Sequence, residues 1–451
     1  MTVLAHEIAQ VQSIEPLRIT GSVTTVRGLT LRVRALPIPV GSLVQLATPG
    51  ADRFGEVVGF DGADALVMLY GPTAGVRPGD RVTGAQCAPV LNIGEDRLGR
   101  VLDALGRPID DGPTLVGGAP MPLDPDPIPA TRRERITDPM PTGVRAIDAM
   151  LTIGAGQRIG VFAGPGVGKS TLIGSIARNT SADVSVVALI GERGREVGDF
   201  LEKALGPGGL RRSVVFVATS DESPLVRVRA MFAACATAEF FRDRGADVTL
   251  LMDSITRLAQ AQRQVGLAVG EPPATRGYTP SVFAMLPRVL ERAGRLRGRG
   301  SISGFYAVLV EGDEVTDPIA DAVRGVLDGH IALSRDLAQR GHFPAIDVLA
   351  SVSRVADDVC APAQIEARRR VIRLLAAYSQ VEDLVRIGAY ARGSDTETDL
   401  AIEMKPRIDE FLRQGARERS TMDEAREGLF ALVEEIGAVE RNLTEAKRRV
   451  G

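Results

Sequence analysis

The sequence predicts an α/β core, a mostly parallel sheet with helices on both faces, with a small β-barrel ahead of it and a helical domain behind it. Three observations give this reading. Short alternating segments punctuated by Gly, Pro and Asp fill the first part of the chain. Apolar strands alternate with longer helical segments from Gly143 onward, and beyond Pro362 apolar residues recur at helical spacing.

In the first part, residues 1–95, Leu29, Leu31 and Val33 alternate with polar or charged neighbours, the period of a half-buried strand. Residues 43–46, 54–60, 65–70 and 81–82 are further strands, with turns at Gly50, Asp61-Gly62 and Pro78-Gly79. Such close spacing suits a small barrel behind a short leading segment. The central part, 96–360, includes a stretch crowded with Pro113, Pro120, Pro122, Pro125, Pro127 and Pro129. Each proline removes an N–H and restricts its predecessor, so a linker running along a surface is expected there and not a helix. The last part, 361–451, carries Val371, Leu374, Leu375, Tyr378, Val381, Leu384 and Val385 at helical spacing, and Thr421 with Glu424 offers a capping box for a final helix.

With 451 residues, 44% hydrophobic and 25% charged, the chain exceeds one ordinary domain and can bury substantial cores. The 54 Lys and Arg nearly balance the 57 Asp and Glu, so no global field marks nucleic acid or an acidic membrane as the main partner. Cys87, Cys235 and Cys360 are far apart and odd in number, which fits small buried thiols better than a disulfide framework or a metal site. Residues 1–7 lack a basic segment leading into an apolar core, and no apolar run approaches membrane-spanning length. A cytoplasmic protein able to dock on a membrane complex is therefore expected.

The most specific feature is the run Val161-Phe162-Ala163-Gly164-Pro165-Gly166-Val167-Gly168-Lys169-Ser170-Thr171. An apolar strand enters a Gly-rich turn, and a helix starts near Gly168 with Leu172, Ile173 and Ile176 as its buried stripe. Such a loop turns successive N–H groups and a helix N-terminus toward one point, where phosphate oxygens are stabilised. Gly164 to Thr171 would hold the nucleotide phosphates. Lys169 would reach the β- and γ-phosphates, and Ser170 would supply a hydroxyl to Mg²⁺. Ala163 stands where the G-x-x-x-x-G-K-[ST] pattern has its first glycine, a departure of one methyl group. A P-loop ATPase core using ATP and Mg²⁺ is the expectation.

Two more apolar strands end in acidic residues. Residues 248–252 run into Asp253, whose carboxylate on the ligand-binding edge of a parallel sheet could hold a water of the Mg²⁺ shell, or simply cap a helix. Leu189-Ile190-Gly191 runs into Glu192-Arg193-Gly194-Arg195-Glu196, and a carboxylate at a neighbouring strand tip could orient a water in line with the γ-phosphate. Glu192 is the candidate, with a solvated charge cluster as the plainer alternative.

A resemblance covers nearly the whole chain. The core resembles the catalytic subunits of rotary ATP synthases, through Pro344-Ala345-Ile346-Asp347 and the following Ser351-Val352-Ser353. More closely, it resembles the export ATPases of flagellar and type III secretion systems. The carrying segments are Leu98-Gly99-Arg100-Val101-Leu102-Asp103 with Gly106-Arg107-Pro108, the run from Glu271 to Phe283, Leu309-Val310-Glu311-Gly312-Asp313, Asp328-Gly329-His330-Ile331 and Gly388-Ala389-Tyr390. The resemblance implies that Glu192 orients the attacking water and that Arg193 and Arg257 lie near the γ-phosphate. It implies that Arg354 is offered to the nucleotide of a neighbouring subunit and that Phe343 packs on adenine, ordinary core being the other reading of that ring. His330 and His342 are read as packed or surface residues. The implied assembly is a homohexamer, peripheral to the membrane, that energises protein export, flagellar assembly being favoured over virulence secretion. Its implied partners are export-apparatus membrane proteins, a regulator, a stalk subunit, and export chaperones with their substrates; Ile8, Val11 and Ile14 form a short apolar stripe where the family binds its regulator.

Other readings differ in class. A rotary proton-translocating subunit shares the phosphate chemistry, but the 271–283 and 309–313 segments favour export. An RNA-translocating transcription terminator calls for a basic barrel face with stacking aromatics, and residues 17–91 offer only Phe54, Phe60 and Tyr70, so no nucleic acid is expected. A nucleotide-binding ring component without activity is opposed by Glu192.

Overall fold

Six strands, Thr20–Arg27, Thr30–Arg34, Leu43–Thr48, Ala51–Asp61, Asp64–Leu69 and Arg81–Gln86, close into a barrel in the computed structural model, which describes residues 19–48, 51–86, 89–310 and 317–450. The 8–14 stripe, Gly50, Cys87 and the Glu311-Gly312-Asp313 segment lie outside the described residues. Leu31, Val33, Val44, Leu46, Val67 and Val82 fill the barrel. Leu29 departs from the strand expected for it. It stands 43% exposed beside Gly28, whose φ of 55° reverses the chain between the first two strands. Thr20–Arg27 escapes the sequence pattern because only Val23 in it is buried.

The barrel is tied to the core by a buried charge. Arg229, on the helix Pro224–Arg242, ion-pairs with Glu56 of the barrel, and the Tyr70 hydroxyl donates to the same carboxylate at 2.8 Å. Arg229 and Glu56 side chains are only 6% and 12% exposed. Removing one partner strands the other, so Glu56→Ala should cost about 3–5 kcal/mol, read as a lowered denaturation midpoint in urea.

The proline-crowded stretch forms no α-helix. Ala119–Pro122 pairs antiparallel with Val90–Ile93 in a two-stranded sheet, a setting in which prolines 120 and 122 are tolerated. The central sheet runs in the order Ile346–Ser353, Gly329–Leu333, Arg158–Ala163, Ser301–Leu309, Val248–Asp253, Val184–Glu192, Ser213–Thr219, Arg100–Leu102. Every neighbouring pair is parallel except the first, where Ile346–Ser353 runs antiparallel along the edge. Interior strands such as Val184–Glu192 are apolar on both faces, because helices cover both. On one face lie Pro224–Arg242, Ile255–Val269 and Pro280–Leu290. On the other, Lys169–Asn179 shares a continuous apolar cluster with the C-terminal helices Pro362–Arg386, Thr396–Leu412 and Met422–Val450. The expected capping box starts the last of these: Thr421 N–H donates to Glu424 at 2.8 Å and Glu424 N–H to the Thr421 hydroxyl at 3.2 Å. The ends of Arg158–Ala163, Val248–Asp253 and Val184–Glu192 therefore share one edge of the sheet.

Candidate active site

The phosphate loop joins the strand Arg158–Ala163 to the helix Lys169–Asn179. Gly166 and Gly168 take φ of 78° and 93°, conformations that only glycine adopts cheaply, and so turn the loop tightly around the helix N-terminus. Leu172, Ile173 and Ile176 anchor the helix in the core, while Pro165, Gly166, Ser170 and Thr171 are exposed. The result is an anion site open to solvent with its donors pinned from behind.

Four charged groups converge under it. Lys169 ion-pairs with Asp253 and lies 4.0 Å from Glu192, and Arg257 Nε stands 3.4 Å from the same Glu192 oxygen. Asp253 is 1% exposed at the tip of its strand, and the next residue, Ser254, caps the helix Ile255–Val269 by accepting the Arg257 N–H at 3.4 Å. The cap and the strand-tip carboxylate are thus separate residues. Gly191, at φ 72°, has no room for a side chain, since a Cβ there would fall 2.9 Å from Arg257 Cδ. Burial, reinforced by the Asp253 charge and a hydrogen bond to Glu196, pushes the Glu192 carboxyl up to about 7, against the opposing pull of Lys169 and Arg257. The same hydrogen bond holds Glu196 below the usual carboxylate range. Ser170, in the first turn of the helix, and Asp253, at its strand tip, carry hard oxygen donors of the kind Mg²⁺ takes.

A raised carboxyl pKa makes folding favour the protonated form. Its contribution is fully present below the unfolded value and is lost as pH rises through about 7. Glu192→Gln should therefore melt higher than the parent above pH 7 in nucleotide-free, metal-free protein, and the difference should close below pH 4.5 in a thermal scan.

Two predicted site residues stand apart from this cluster. Arg193 is 79% exposed, sits at the N-cap of Gly194–Asp199 and lies 3.9 Å from Glu196. Arg354 follows the antiparallel edge strand. Because Gly329 pairs with Ser353 and His330 with Gly160, Arg354 lies at the opposite end of the sheet from the loop of its own chain.

Phe343 is half exposed and lies against Gly168, 3.6 Å from where a Cβ would stand. It lines a largely apolar cavity of about 420 Å³ with Val167, Thr171, Leu172 and Pro344. The far wall is Gln414-Gly415-Ala416, which the sequence does not reveal. Gln414 bonds the Gly143 carbonyl at 2.8 Å and the Arg145 N–H at 2.7 Å, while its own N–H donates to the Phe343 carbonyl at 2.9 Å. Glu196 was also missed; its usable signal is its place three residues after Arg193, the N-cap of Gly194–Asp199, whose N–H its carboxylate accepts at 3.3 Å.

A glycine-rich loop at a helix N-terminus, a buried lysine beneath it, two strand-tip carboxylates and an apolar base-sized cavity define a P-loop nucleoside triphosphate hydrolase. Family models agree along the chain. The ATP synthase alpha/beta family nucleotide-binding domain matches residues 143–353, its beta-barrel domain matches 18–84, and the T3SS EscN ATPase C-terminal domain matches 360–431. The chain is 53% identical over 420 residues to the flagellum-specific ATP synthase of Treponema pallidum (strain Nichols), covering 92% of this chain and 93% of that one. It is 47% identical to the type 3 secretion system ATPase of Xanthomonas euvesicatoria, covering 92% and 94%. The structure of the assembled ATPase EscN from enteropathogenic E. coli superimposes with a TM-score of 0.84 at 41% identity, over 92% of this chain and all of that one. EscN in complex with its central stalk EscO gives 0.85 at 40% identity, with the same coverage. The chain belongs to the flagellar and type III secretion ATPases, an ATP-hydrolysing branch of the ATP synthase alpha/beta family.

Proposed function

We propose that this chain hydrolyses Mg²⁺-ATP at sites shared between neighbouring copies in a homohexameric ring, and that the cycle drives protein export. The observation that carries the reading is the placement of Arg354. Its backbone lies level with Arg158, two residues before Gly160 and some six residues, or about 20 Å, back from the start of the phosphate loop at Gly164. One chain offers loop, Lys169 and Glu192 at one end of its sheet and an exposed arginine at the other, which suits head-to-tail contact. The assembled state of EscN supports the same arrangement.

In this mechanism Lys169 exchanges Asp253 for phosphate oxygens, and Glu192, once ionised, orients and polarises the attacking water. Arg257 holds Glu192 in place, and the Arg354 of the adjoining copy stabilises charge on the transferring group. Ser170 and, through water, Asp253 would hold Mg²⁺, which would supply positive charge against that of the phosphate groups. Arg193 is proposed to act near the γ-phosphate only once a nucleotide and a neighbouring copy are in place, since in this state its side chain faces solvent. Phe343 would pack on adenine, with Val167 and Leu172 below. Phe343→Ala should raise KM for ATP by the roughly 1–3 kcal/mol that base–aromatic stacking is worth, with kcat little changed in steady-state assays.

Among the described residues no helix is long and apolar enough to cross a membrane, so the ring would act on an export apparatus from its periphery. The match of residues 360–431 to the EscN C-terminal model favours export over proton translocation. Export-apparatus proteins, a regulator, chaperones with their substrates and a central stalk like EscO are the proposed partners. Flagellar relatives at 45–53% identity and secretion-system relatives at 44–47% overlap; flagellar assembly is the system proposed, and a deletion strain should then lose motility and exported hook protein.

The direct test is turnover against protein concentration, with Glu192→Gln and Arg354→Ala proteins mixed in varying ratio. Turnover per chain should rise steeply, and mixtures should recover activity that neither variant has alone. Flat turnover with an active Arg354→Ala protein would sink the shared site.

A further inference from the structure

We infer that Asp328-Gly329-His330 is the cradle of the trans-acting arginine and that His330 is a positioning residue for it; this rests on the shared-site reading above. All three residues hold the end of the edge strand. The Asp328 carbonyl accepts the Arg354 N–H at 2.9 Å and also the Gln157 amide at 3.2 Å, while its carboxylate pairs with Arg158 at 2.9 Å. Gly329 lies opposite Ser353 so closely that a Cβ would meet the Val352 carbonyl at 2.4 Å. His330 Nε2 donates to the Ala350 carbonyl at 3.0 Å.

The last bond matters because the strand is irregular there. Between the pairs His330 with Val352 and Ala332 with Asp347, the edge strand loops out. That loop would be free to shift without side-chain ties. Asp347 caps it through the N–H groups of Leu349 and Ala350 at 3.0 and 3.1 Å. Ser351 accepts the Ala332 N–H at 2.9 Å and donates to the Asp347 carbonyl at 2.5 Å. His330 adds a second tie from the neighbouring strand, to Ala350. Its ring is itself fixed edge-on to Phe162, 5.6 Å between centroids, with Arg324 over that phenyl ring at 4.7 Å. Burial and the charges of Arg324 and Arg354 lower its pKa, so at neutral pH the imidazole is uncharged. A carbonyl can only accept, which places the proton on Nε2.

The alternative for His330 is a role on its own chain's loop side, since Phe162 belongs to the strand that enters the phosphate loop. Mixed rings separate the two. His330→Phe keeps a ring against Phe162 and loses the donor. Turnover should fall about 10- to 100-fold, as for a catalytic group displaced by roughly 1 Å, with fluorescent mant-ADP affinity unchanged. Mixed with Glu192→Gln protein it should recover activity, and mixed with Arg354→Ala protein it should not. His330→Gln, which keeps a donor, should restore most of the turnover. Recovery with Arg354→Ala but not with Glu192→Gln, or no loss at all, overturns the inference alone. Failure of the reference mixture, Glu192→Gln with Arg354→Ala, overturns the shared site and the inference with it. If His330→Phe loses mant-ADP binding through misfolding, Ser351→Ala, which removes another tie of the same loop, replaces it. The same mixing pattern is expected there, and parental turnover would count against the cradle.

Discussion

Arg354→Ala is expected to lower ATP turnover by roughly 10³- to 10⁵-fold, the range for loss of an arginine that stabilises the transferring phosphoryl group. Affinity for ATP should hardly move, because cavity and phosphate loop belong to the other end of the sheet and Arg354 touches neither within its own chain. Loss of kcat without loss of binding marks an interaction made in the transition state. Steady-state rates with a mant-nucleotide titration check both halves, and a rise in KM at constant kcat would assign Arg354 to ground-state binding instead.

Glu192→Gln should cost about 10²- to 10⁴-fold in turnover, the span for a positioned acid–base group. Glutamine keeps the shape and can still bond near Lys169 and Arg257, but it cannot polarise water as a carboxylate does. The variant should bind ATP and hold it unhydrolysed, measured by single-turnover quench. A loss of less than tenfold would move the water-orienting role elsewhere, with Glu196, bonded to Glu192, as the group to examine next.

The parts of this site that were legible in the sequence are those written in adjacent residues. The loop from Gly164 to Thr171 and the strand tips at Asp253 and Glu192 each announce themselves as an apolar run ending in chemistry. The pocket wall at Gln414 does not, because it meets Gly143 across 271 positions, and one polar residue after a helix carries no periodic signal. The Lys169–Asp253 pair is equally non-local. The barrel was legible from its inward residues, while Thr20–Arg27 was not, with a single buried side chain. The proline stretch was read correctly as non-helical, yet its pairing with Val90–Ile93 depends on a partner that only the tertiary fold supplies. Arg193 illustrates a different limit: its sequence position fits a phosphate contact, and its side chain faces solvent in this state.

The antiparallel edge strand carries a consequence for bookkeeping within an assembly. If catalytic loop and trans-acting arginine sit at opposite ends of every copy, any open arc, whatever its length, leaves an idle arginine at one end and an unserved loop at the other. Only closure makes the number of working sites equal the number of chains. An isolated copy would then be a silent enzyme that spares the nucleotide pool until it has been built into a complete machine, and hydrolysis itself would signal that assembly is finished.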